Sequence, residues 1–161
     1  FHAATGELQW KVPFTTGFES SPLVHNGAVH VGGLDGYFYA FEATTGHLKW
    51  KSPTNGSIFS SPAIKNDLFL VGSTDQHLYA IVASTGQQKW KRRVLGELVS
   101  SPAVSNDAIY FGTQEGFLYS IDLITGKERW KTPLENGAEI PSSPCVIDKS
   151  GNVYHSGISG Y

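Results

Sequence analysis

The chain of 161 residues is long enough for a single domain, and its 40% apolar and 16% charged residues are ordinary for a globular protein. Its formal net charge of −2 provides no general attraction for nucleic acid or for an anionic membrane surface. No apolar run approaches the roughly 20 residues that a membrane-spanning helix requires. We therefore expect neither a nucleic-acid partner nor a membrane span.

The chain is a tandem repeat. Tryptophan recurs every 40 residues, each time closing the phrase Thr-Gly-x-x-x-Trp, at Trp10, Trp50, Trp90 and Trp130. Residues 41–80 and 81–120 align without a gap and share 16 identical positions. A period of 40–45 residues with several short strands per repeat is typical of propeller blades.

Each repeat is predicted to form four antiparallel strands. In the repeat that follows Trp10, we expect strands over residues 18–24, 28–32, 37–43 and 47–52. Asn-Gly, Asp-Gly and Thr-Gly pairs separate them and tolerate the positive φ of tight turns. The second strands of the later repeats, 68–71 and 108–111, are continuously apolar, which favours a sheet covered on both faces. Radially stacked blades provide such cover, so the sequence predicts an all-β propeller with blade ends near residues 13, 53, 93 and 133 and an incomplete last repeat.

The fourth strand of each repeat has the pattern of an exposed edge. Leu48 and Trp50 alternate with Lys49 and Lys51, which places the lysines on the opposite side of the strand. Lysines on an outer strand discourage pairing with another chain. The same pattern recurs around each tryptophan, so we expect a basic rim formed by Lys11, Lys49, Lys51, Lys89, Lys91, Arg92, Arg93, Arg129 and Lys131.

Residues 40–50 resemble the A-x-D-x-x-T-G-x-x-x-W docking motif of the PQQ-type, or quinoprotein-like, β-propeller repeat family. Residues 120–130 fit it with Ser120 in place of Ala, and residues 80–90 fit it with Val82 in place of the acid. The resemblance implies that each tryptophan docks on a Thr-Gly turn of a neighbouring blade. The implied structural docking residues are Trp10, Trp50, Trp90, Trp130, Gly6, Gly46, Gly86 and Gly126.

Family propellers commonly have six to eight blades, so we expect the chain to be a segment of a larger ring. Phe1 is in phase with Phe41, and Tyr161 is in phase with Phe117, so both ends fall within a third strand. We expect further blades of the same or another chain to complete the ring. A self-contained four-blade ring and a pair of chains forming an eight-blade ring are the alternatives.

The resemblance also raises the question of catalysis. Quinoprotein dehydrogenases of this family carry a vicinal Cys-Cys disulfide against the quinone, a Ca²⁺ or lanthanide site and an Asp base. This chain has one cysteine, Cys145, so it cannot form the pair. Asp35, Asp75 and Glu115 recur at equivalent turns, as turn-forming residues do. We therefore expect no catalytic residue, no metal and no cofactor, with PQQ and Ca²⁺ as the alternative.

Three further side chains could carry chemistry but have simpler interpretations. Cys145 takes the place of Ala63 and Ala103, which predicts a buried thiol, and no histidine or cation is fixed beside it. His30 and His155 stand where other repeats have apolar residues, and we expect both to be packed and hydrogen-bonded.

Acidic residues concentrate on one predicted surface. In a propeller, the links between successive blades and the turns between second and third strands emerge on the same face. We name this the acidic face, and its members are Glu19, Asp35, Asp75, Glu97, Glu115, Glu135 and Glu139. It is either a solvated surface or a docking site for a cationic partner.

Outer-membrane assembly lipoproteins of the periplasm, which use a propeller of this repeat type to hold partners through exposed loops, are similar to this chain. The resemblance implies a non-catalytic binding or scaffolding module for a protein partner, in the periplasm or elsewhere outside the cytoplasm. Two alternatives stay open: part of a PQQ-dependent dehydrogenase whose catalytic loops lie outside these residues, and an accessory propeller domain of a multidomain enzyme.

Overall fold

The computed structural model of the chain describes residues 1–134, 143, 145–146 and 152–154. It contains three four-stranded antiparallel sheets and one two-stranded sheet, and no helix occurs among these residues. This architecture confirms the predicted all-β class and its four-stranded antiparallel blades.

Each blade is a meander in which consecutive strands pair. The first blade has β1 (Leu23–His25), β2 (Ala28–Gly32), β3 (Tyr37–Glu42) and β4 (Leu48–Pro53). The second has β5 (Ala63–Lys65), β6 (Leu68–Ser73), β7 (His77–Val82) and β8 (Gln88–Arg93). The third has β9 (Ala103–Ser105), β10 (Ala108–Gly112), β11 (Phe117–Asp122) and β12 (Glu128–Pro133). A two-stranded sheet of β13 (Cys145–Val146) and β14 (Val153–Tyr154) follows.

The first strand of the first blade is shorter than the predicted 18–24, because Ser20 and Ser21 form other hydrogen bonds. The Ser20 hydroxyl bridges the backbone of Gly32: it donates to the carbonyl at 3.1 Å and accepts from the N–H at 2.8 Å. Ser60 bridges Gly72 and Ser100 bridges Gly112 in the same way. A serine side chain therefore binds the backbone at the last or next-to-last residue of each second strand, where a ladder bond would otherwise be needed.

The core lies between the blades. All six residues of β6 are buried, which agrees with a sheet covered on both faces. On one side, Phe69 and Val71 pack with Phe38 of the first blade and Ile58 of the link. On the other side, Leu70 packs with Phe111 of the third blade. Because each blade buries its apolar faces against its neighbours, the position of every turn and link is fixed by this stack.

A row of serine hydrogen bonds joins successive blades. The backbone N–H of Ser21 donates to Ser61 Oγ at 2.9 Å, and that of Ser61 donates to Ser101 Oγ at 2.8 Å. The N–H of Ser101 donates to Ser143 Oγ at 2.9 Å. This serine ladder explains why the second serine of Ser-Ser-Pro recurs in every repeat, a role that the sequence analysis missed.

Candidate functional site

The docked tryptophans hold successive blades together, and the candidate site is formed by links and turns of these blades. Trp10, Trp50 and Trp90 each donate the indole Nε1–H to a backbone carbonyl 33 residues later, on Ala43, Ala83 and Leu123, at 2.8, 3.1 and 3.2 Å. Each ring also lies against the next Thr-Gly turn, so that a Cβ on Gly46, Gly86 or Gly126 would come within 2.6–2.7 Å of it. These glycines also have φ of +65 to +74°, so both the space and the backbone require glycine.

Two of the eight predicted docking residues differ from this pattern. Trp130 is 41% exposed and its ring contacts Tyr110 of its own blade, with centroids 6.0 Å apart. Gly6 has the φ of a docking turn, +70°, but nothing lies within 4 Å of its Cβ position. Neither residue therefore makes the predicted interblade contact within the described part of the chain.

The acidic face is built from links and turns that hold each other. Thr54, in the link between the first two blades, donates its N–H and hydroxyl to the Gly36 carbonyl of the preceding turn, at 2.7 and 2.9 Å. Ser57 donates its hydroxyl to the Leu34 carbonyl at 2.7 Å. On the other side of the link, the Thr74 N–H donates to the Ser57 carbonyl at 3.0 Å. Each link thus lies between two successive turns, and the face is a continuous, hydrogen-bonded surface.

Asp75 is the structural acid of this face rather than an exposed one. Its side chain is 8% exposed and accepts hydrogen bonds from the N–H of Asn55 at 3.0 Å, the N–H of His77 at 3.1 Å and the hydroxyl of Tyr79. The prediction grouped it with exposed turn residues. The burial arises because Asn55 from the neighbouring link closes over the carboxylate, a contact between blades that local sequence does not reveal.

The other described members of the acidic face differ in how exposed they are. Asp35 and Glu19 are exposed, and Asp35 Oδ2 accepts the Tyr39 hydroxyl at 2.6 Å. Burial of Tyr39 raises the pKa of its phenol, and the bond to Asp35 raises it further. Glu115 is exposed but rests on the preceding link, where a Cβ on Gly96 would lie 1.4 Å from Glu115 Oε2. Glu97 is half-buried, and Glu135 and Glu139 lie outside the described residues.

Three basic side chains of the fourth strands contact groups other than the carboxylates of the acidic face. Arg92 donates Nε–H to the carbonyl of Gly126 at 2.5 Å, beside the docked Trp90, so its charge lies along the interblade seam. Lys51 places Nζ 4.2 Å from the centre of the Tyr37 ring on its own blade. At the third blade, Arg129 binds Asp107 at 2.8 Å and Asp122 at 2.7 Å, which lowers the pKa of both carboxyl groups.

A shallow polar pocket of about 240 Å³ opens on the acidic face between the first two blades. Its lining consists of Leu34, Asp35, Gly36, Thr54, Asn55, Gly56 and Ser57, the turn and link described above. Asp35 is its charged residue. The pocket offers carbonyl, hydroxyl and carboxylate oxygens, which are groups that accept hydrogen bonds from a cationic side chain.

His30 is packed as predicted but lacks the expected hydrogen bond at Nδ1. The residue is 2% exposed, its ring lies 4.2 Å from the Phe69 ring and 5.4 Å from the Trp50 ring, and Nδ1 has no partner. The pKa of His30 is lowered to about 4, mainly by burial; a backbone hydrogen bond with His25 opposes this shift, and the charges of His25 and Lys49 add to it. His155 and the side chain of Cys145 lie outside the described residues.

The side chains of the described residues do not fit a PQQ and Ca²⁺ site. No three histidine, cysteine, aspartate or glutamate side chains of the described residues come together as metal ligands, and the most enclosed acid, Asp75, is already hydrogen-bonded by three protein groups. The chain's single cysteine excludes a vicinal pair. Over the same residues, no helix is long and apolar enough to cross a membrane.

Comparison with known proteins agrees with this geometry. A profile of the family described as outer membrane protein assembly factor BamB matches residues 1–161. The chain belongs to this family. No curated protein matches it.

Solved structures share the fold at low sequence identity. BamB from Moraxella catarrhalis superposes with a TM-score of 0.81 at 18% identity, covering 96% of this chain and 48% of that one. The computationally designed Ika4 protein has a TM-score of 0.76 at 16% identity over 95% of this chain and 99% of its own. Quinohemoprotein alcohol dehydrogenase from Comamonas testosteroni has a TM-score of 0.66 at 20% identity over 74% and 21%. The chain therefore spans about half the length of the BamB structure it matches.

Proposed function

We propose that the chain is a non-catalytic binding and scaffolding propeller module, and that it holds a cationic protein partner on its acidic face. The observation that carries this proposal is that exposed carboxylates stand on a hydrogen-bonded backbone at that face. Asp35, Glu19 and Glu115 are exposed, while the backbone that presents them is fixed by hydrogen bonds between links and turns. A rigid surface binds without a large ordering cost.

Electrostatics favours a basic partner. Among the described residues, Arg92 donates to the Gly126 carbonyl and forms no ion pair with a carboxylate of the acidic face. Exposed charges of one sign mainly increase the rate of association with an oppositely charged partner, and salt weakens the effect beyond a Debye length of about 8 Å at physiological ionic strength. We expect the interaction to be fast and salt-sensitive.

The family supports the same class of function. Its description names an outer membrane protein assembly factor. For this chain we propose a corresponding role with a protein partner, and a location outside the cytoplasm, on the strength of that membership.

The test compares capture by three baits. The first is the native chain. The second is the acidic-face variant, with Glu19→Gln, Asp35→Asn and Glu115→Gln; Asp75 is kept because its side chain is only 8% exposed. The third is a control variant with Glu7→Gln, Asp67→Asn and Glu128→Gln, three exposed acids outside the acidic face.

Both variants raise the net charge by three, so a general charge effect would appear equally in both. We expect a basic protein from an extract of the source cells to bind the native chain and the control variant, and to be lost from the acidic-face variant. Recovery of the same proteins by all three baits, with equal salt dependence, would show that the acidic face is only a solvated surface.

A further inference from the structure

A polar pocket lies between the first two blades, at the edge of the sheets opposite the acidic face. Its volume is about 220 Å³. The β1–β2 hairpin, β4 and the β7–β8 turn of the next blade supply its lining: His25, Asn26, Ala28, His30, Lys49, Trp50, Ala83 and Ser84. One water requires only roughly 10–15 Å³, and sites for drug-sized ligands have roughly 300–1,000 Å³. The pocket therefore suits a small organic molecule.

A buried nitrogen of a lining residue lacks a hydrogen bond. His30 is 2% exposed, and its Nδ1 has no hydrogen-bond partner among the described residues. The ring is held by aromatic contacts, with its centroid 4.2 Å from that of Phe69 and 5.4 Å from that of Trp50. Buried polar atoms are nearly always hydrogen-bonded, so Nδ1 requires a partner that these residues do not supply.

The residues around His30 differ from those at the next junction of the repeat. Between the second and third blades, the equivalents of Ala28, His30, Ala83 and Ser84 are Leu68, Leu70, Leu123 and Ile124. Leu70 and Leu123 are fully buried there and belong to one apolar cluster. The first junction thus has a smaller or more polar residue at each of the four places, and it has a polar pocket where large apolar side chains occur at the second.

The charges at the pocket favour a negatively charged ligand. Burial is the main cause of the low pKa of His30, and the charges of His25 and Lys49 lower it further, which places both groups near its ring. No described residue of the lining is acidic. Asp67 lies at the edge of the pocket, where it is exposed and accepts the Ser84 hydroxyl at 3.3 Å.

We propose that this pocket binds a small hydroxylated organic anion. A hydroxyl group both donates and accepts, so it pairs with His30 Nδ1 in either tautomer of the neutral ring. The anionic group, a carboxylate or a phosphate, accepts a hydrogen bond from the Lys49 ammonium. The carbon chain contacts the Trp50 ring. No residue of the acidic face takes part, so the site is independent of the protein partner proposed above.

Four-carbon probes separate the two parts of this chemistry. Threonate carries a carboxylate and hydroxyls, erythritol carries hydroxyls without charge, and butyrate carries the carboxylate without hydroxyls. In calorimetric titrations of the native chain we expect threonate to bind saturably. Erythritol and butyrate should bind about tenfold more weakly or less, because each lacks one of the two hydrogen-bonding groups. Erythritol 4-phosphate is titrated in parallel; saturable binding of either anion supports the proposal, and the tighter one identifies the anionic group.

Nuclear magnetic resonance shows whether the ligand reaches His30. Long-range ¹H–¹⁵N spectra at pH 7 report both ring nitrogens of each histidine, and the His30 signals are assigned as those that His30→Leu removes. We expect threonate to shift the Nδ1 signal of His30. The signals of His47, which is exposed and does not line the pocket, should not move.

Two substitutions at exposed positions test the walls of the pocket. Lys49→Gln removes the ammonium, and Ser84→Ile introduces the residue found at the next junction. Each should weaken threonate binding about tenfold or more. Lys89→Gln is the matched control, because Lys89 stands beside Trp90 as Lys49 stands beside Trp50, and it should bind threonate like the native chain.

Three results would overturn the proposal. The first is no saturable binding of threonate or erythritol 4-phosphate, which would mean that the pocket holds only water. The second is binding that leaves the Nδ1 signal of His30 unchanged. The third is equal affinity in the Lys49→Gln and Lys89→Gln variants.

Discussion

Replacing the buried histidine of the first blade should change how stability depends on pH. His30 and Leu70 occupy equivalent places, opposite Ala40 and Ala80 in their sheets, and both are buried. His30→Leu is therefore a substitution that the next repeat already accommodates. It removes a titratable group packed between Phe69 and Trp50, whose Nδ1 has no hydrogen-bond partner.

The expected change in the free energy of unfolding follows from the pKa of His30 in the unfolded and in the folded chain. Burial lowers the pKa of His30 from 6.5 in the unfolded chain to about 4 in the fold. Above pH 6.5 neither state binds the proton, so the group makes no pH-dependent contribution. As pH falls from 6.5 towards 4, the unfolded chain gains the proton first and the free energy of unfolding decreases, by about 1.4 kcal/mol for each pH unit. The full loss is roughly 3 kcal/mol, and about 2 kcal/mol of it occurs above pH 5.

Urea unfolding of the native chain and His30→Leu at several pH values, followed by tryptophan fluorescence, measures this difference. Other groups titrate in both proteins, so the relevant quantity is the free-energy difference between them. It should grow in favour of His30→Leu by about 2 kcal/mol between pH 7 and pH 5. His47→Gln is the control, because His47 is exposed and the next repeat has Gln87 there. A difference that stays constant with pH for His30→Leu would refute the reasoning.

Two other predictions concern the docking turns and the cofactor. Gly86→Ala should lower the free energy of unfolding by about 2–4 kcal/mol, since it adds a Cβ at 2.6 Å from the Trp50 ring to the strain of a positive φ. Gly27→Ala, with the same φ sign and open space, should cost only about 1 kcal/mol, and equal losses in urea titrations would contradict the docking role of Trp50. Titration with PQQ and Ca²⁺ should give no saturable change in quinone absorbance and no dye reduction with ethanol; saturable binding with turnover would favour the dehydrogenase alternative.

Much of the fold could be predicted because residues within each repeat specify its turns. Asn26-Gly27 and Thr45-Gly46 specify turns through residues that accept positive φ, and the structure has them there. The resemblance to the PQQ-type repeat implied that each tryptophan docks on a Thr-Gly turn of a neighbouring blade, and Trp10, Trp50 and Trp90 make this contact. The turn residues and the tryptophan motif, which recur in every repeat, were therefore sufficient to predict the blades and their docking contacts.

Contacts between blades set the limits of prediction. Asp35 and Asp75 look equivalent in sequence, but only Asp75 is enclosed by the N–H of a neighbouring link. The serine ladder has the same origin, because a hydroxyl that bonds a backbone group 40 residues earlier leaves no local pattern beyond its recurrence. The missing partner of His30 Nδ1 depends on the aromatic rings that surround it. These contacts depend on how the blades pack against each other, which the local sequence does not specify.

Photo-crosslinking from opposite sides of the propeller tests the central claim, that the acidic face holds a protein partner, most directly. A benzoylphenylalanine replaces Asn55, which is exposed in the link beside Asp35 and Asp75, or Thr85, which is exposed in a Thr-Gly turn at the other edge of the sheet. Each chain is incubated with cell extract and irradiated. We expect one basic protein to crosslink from position 55 at low salt, to crosslink less when salt is added, and not to crosslink from position 85. Equal crosslinking from both positions, or crosslinking from position 85 alone, would contradict it.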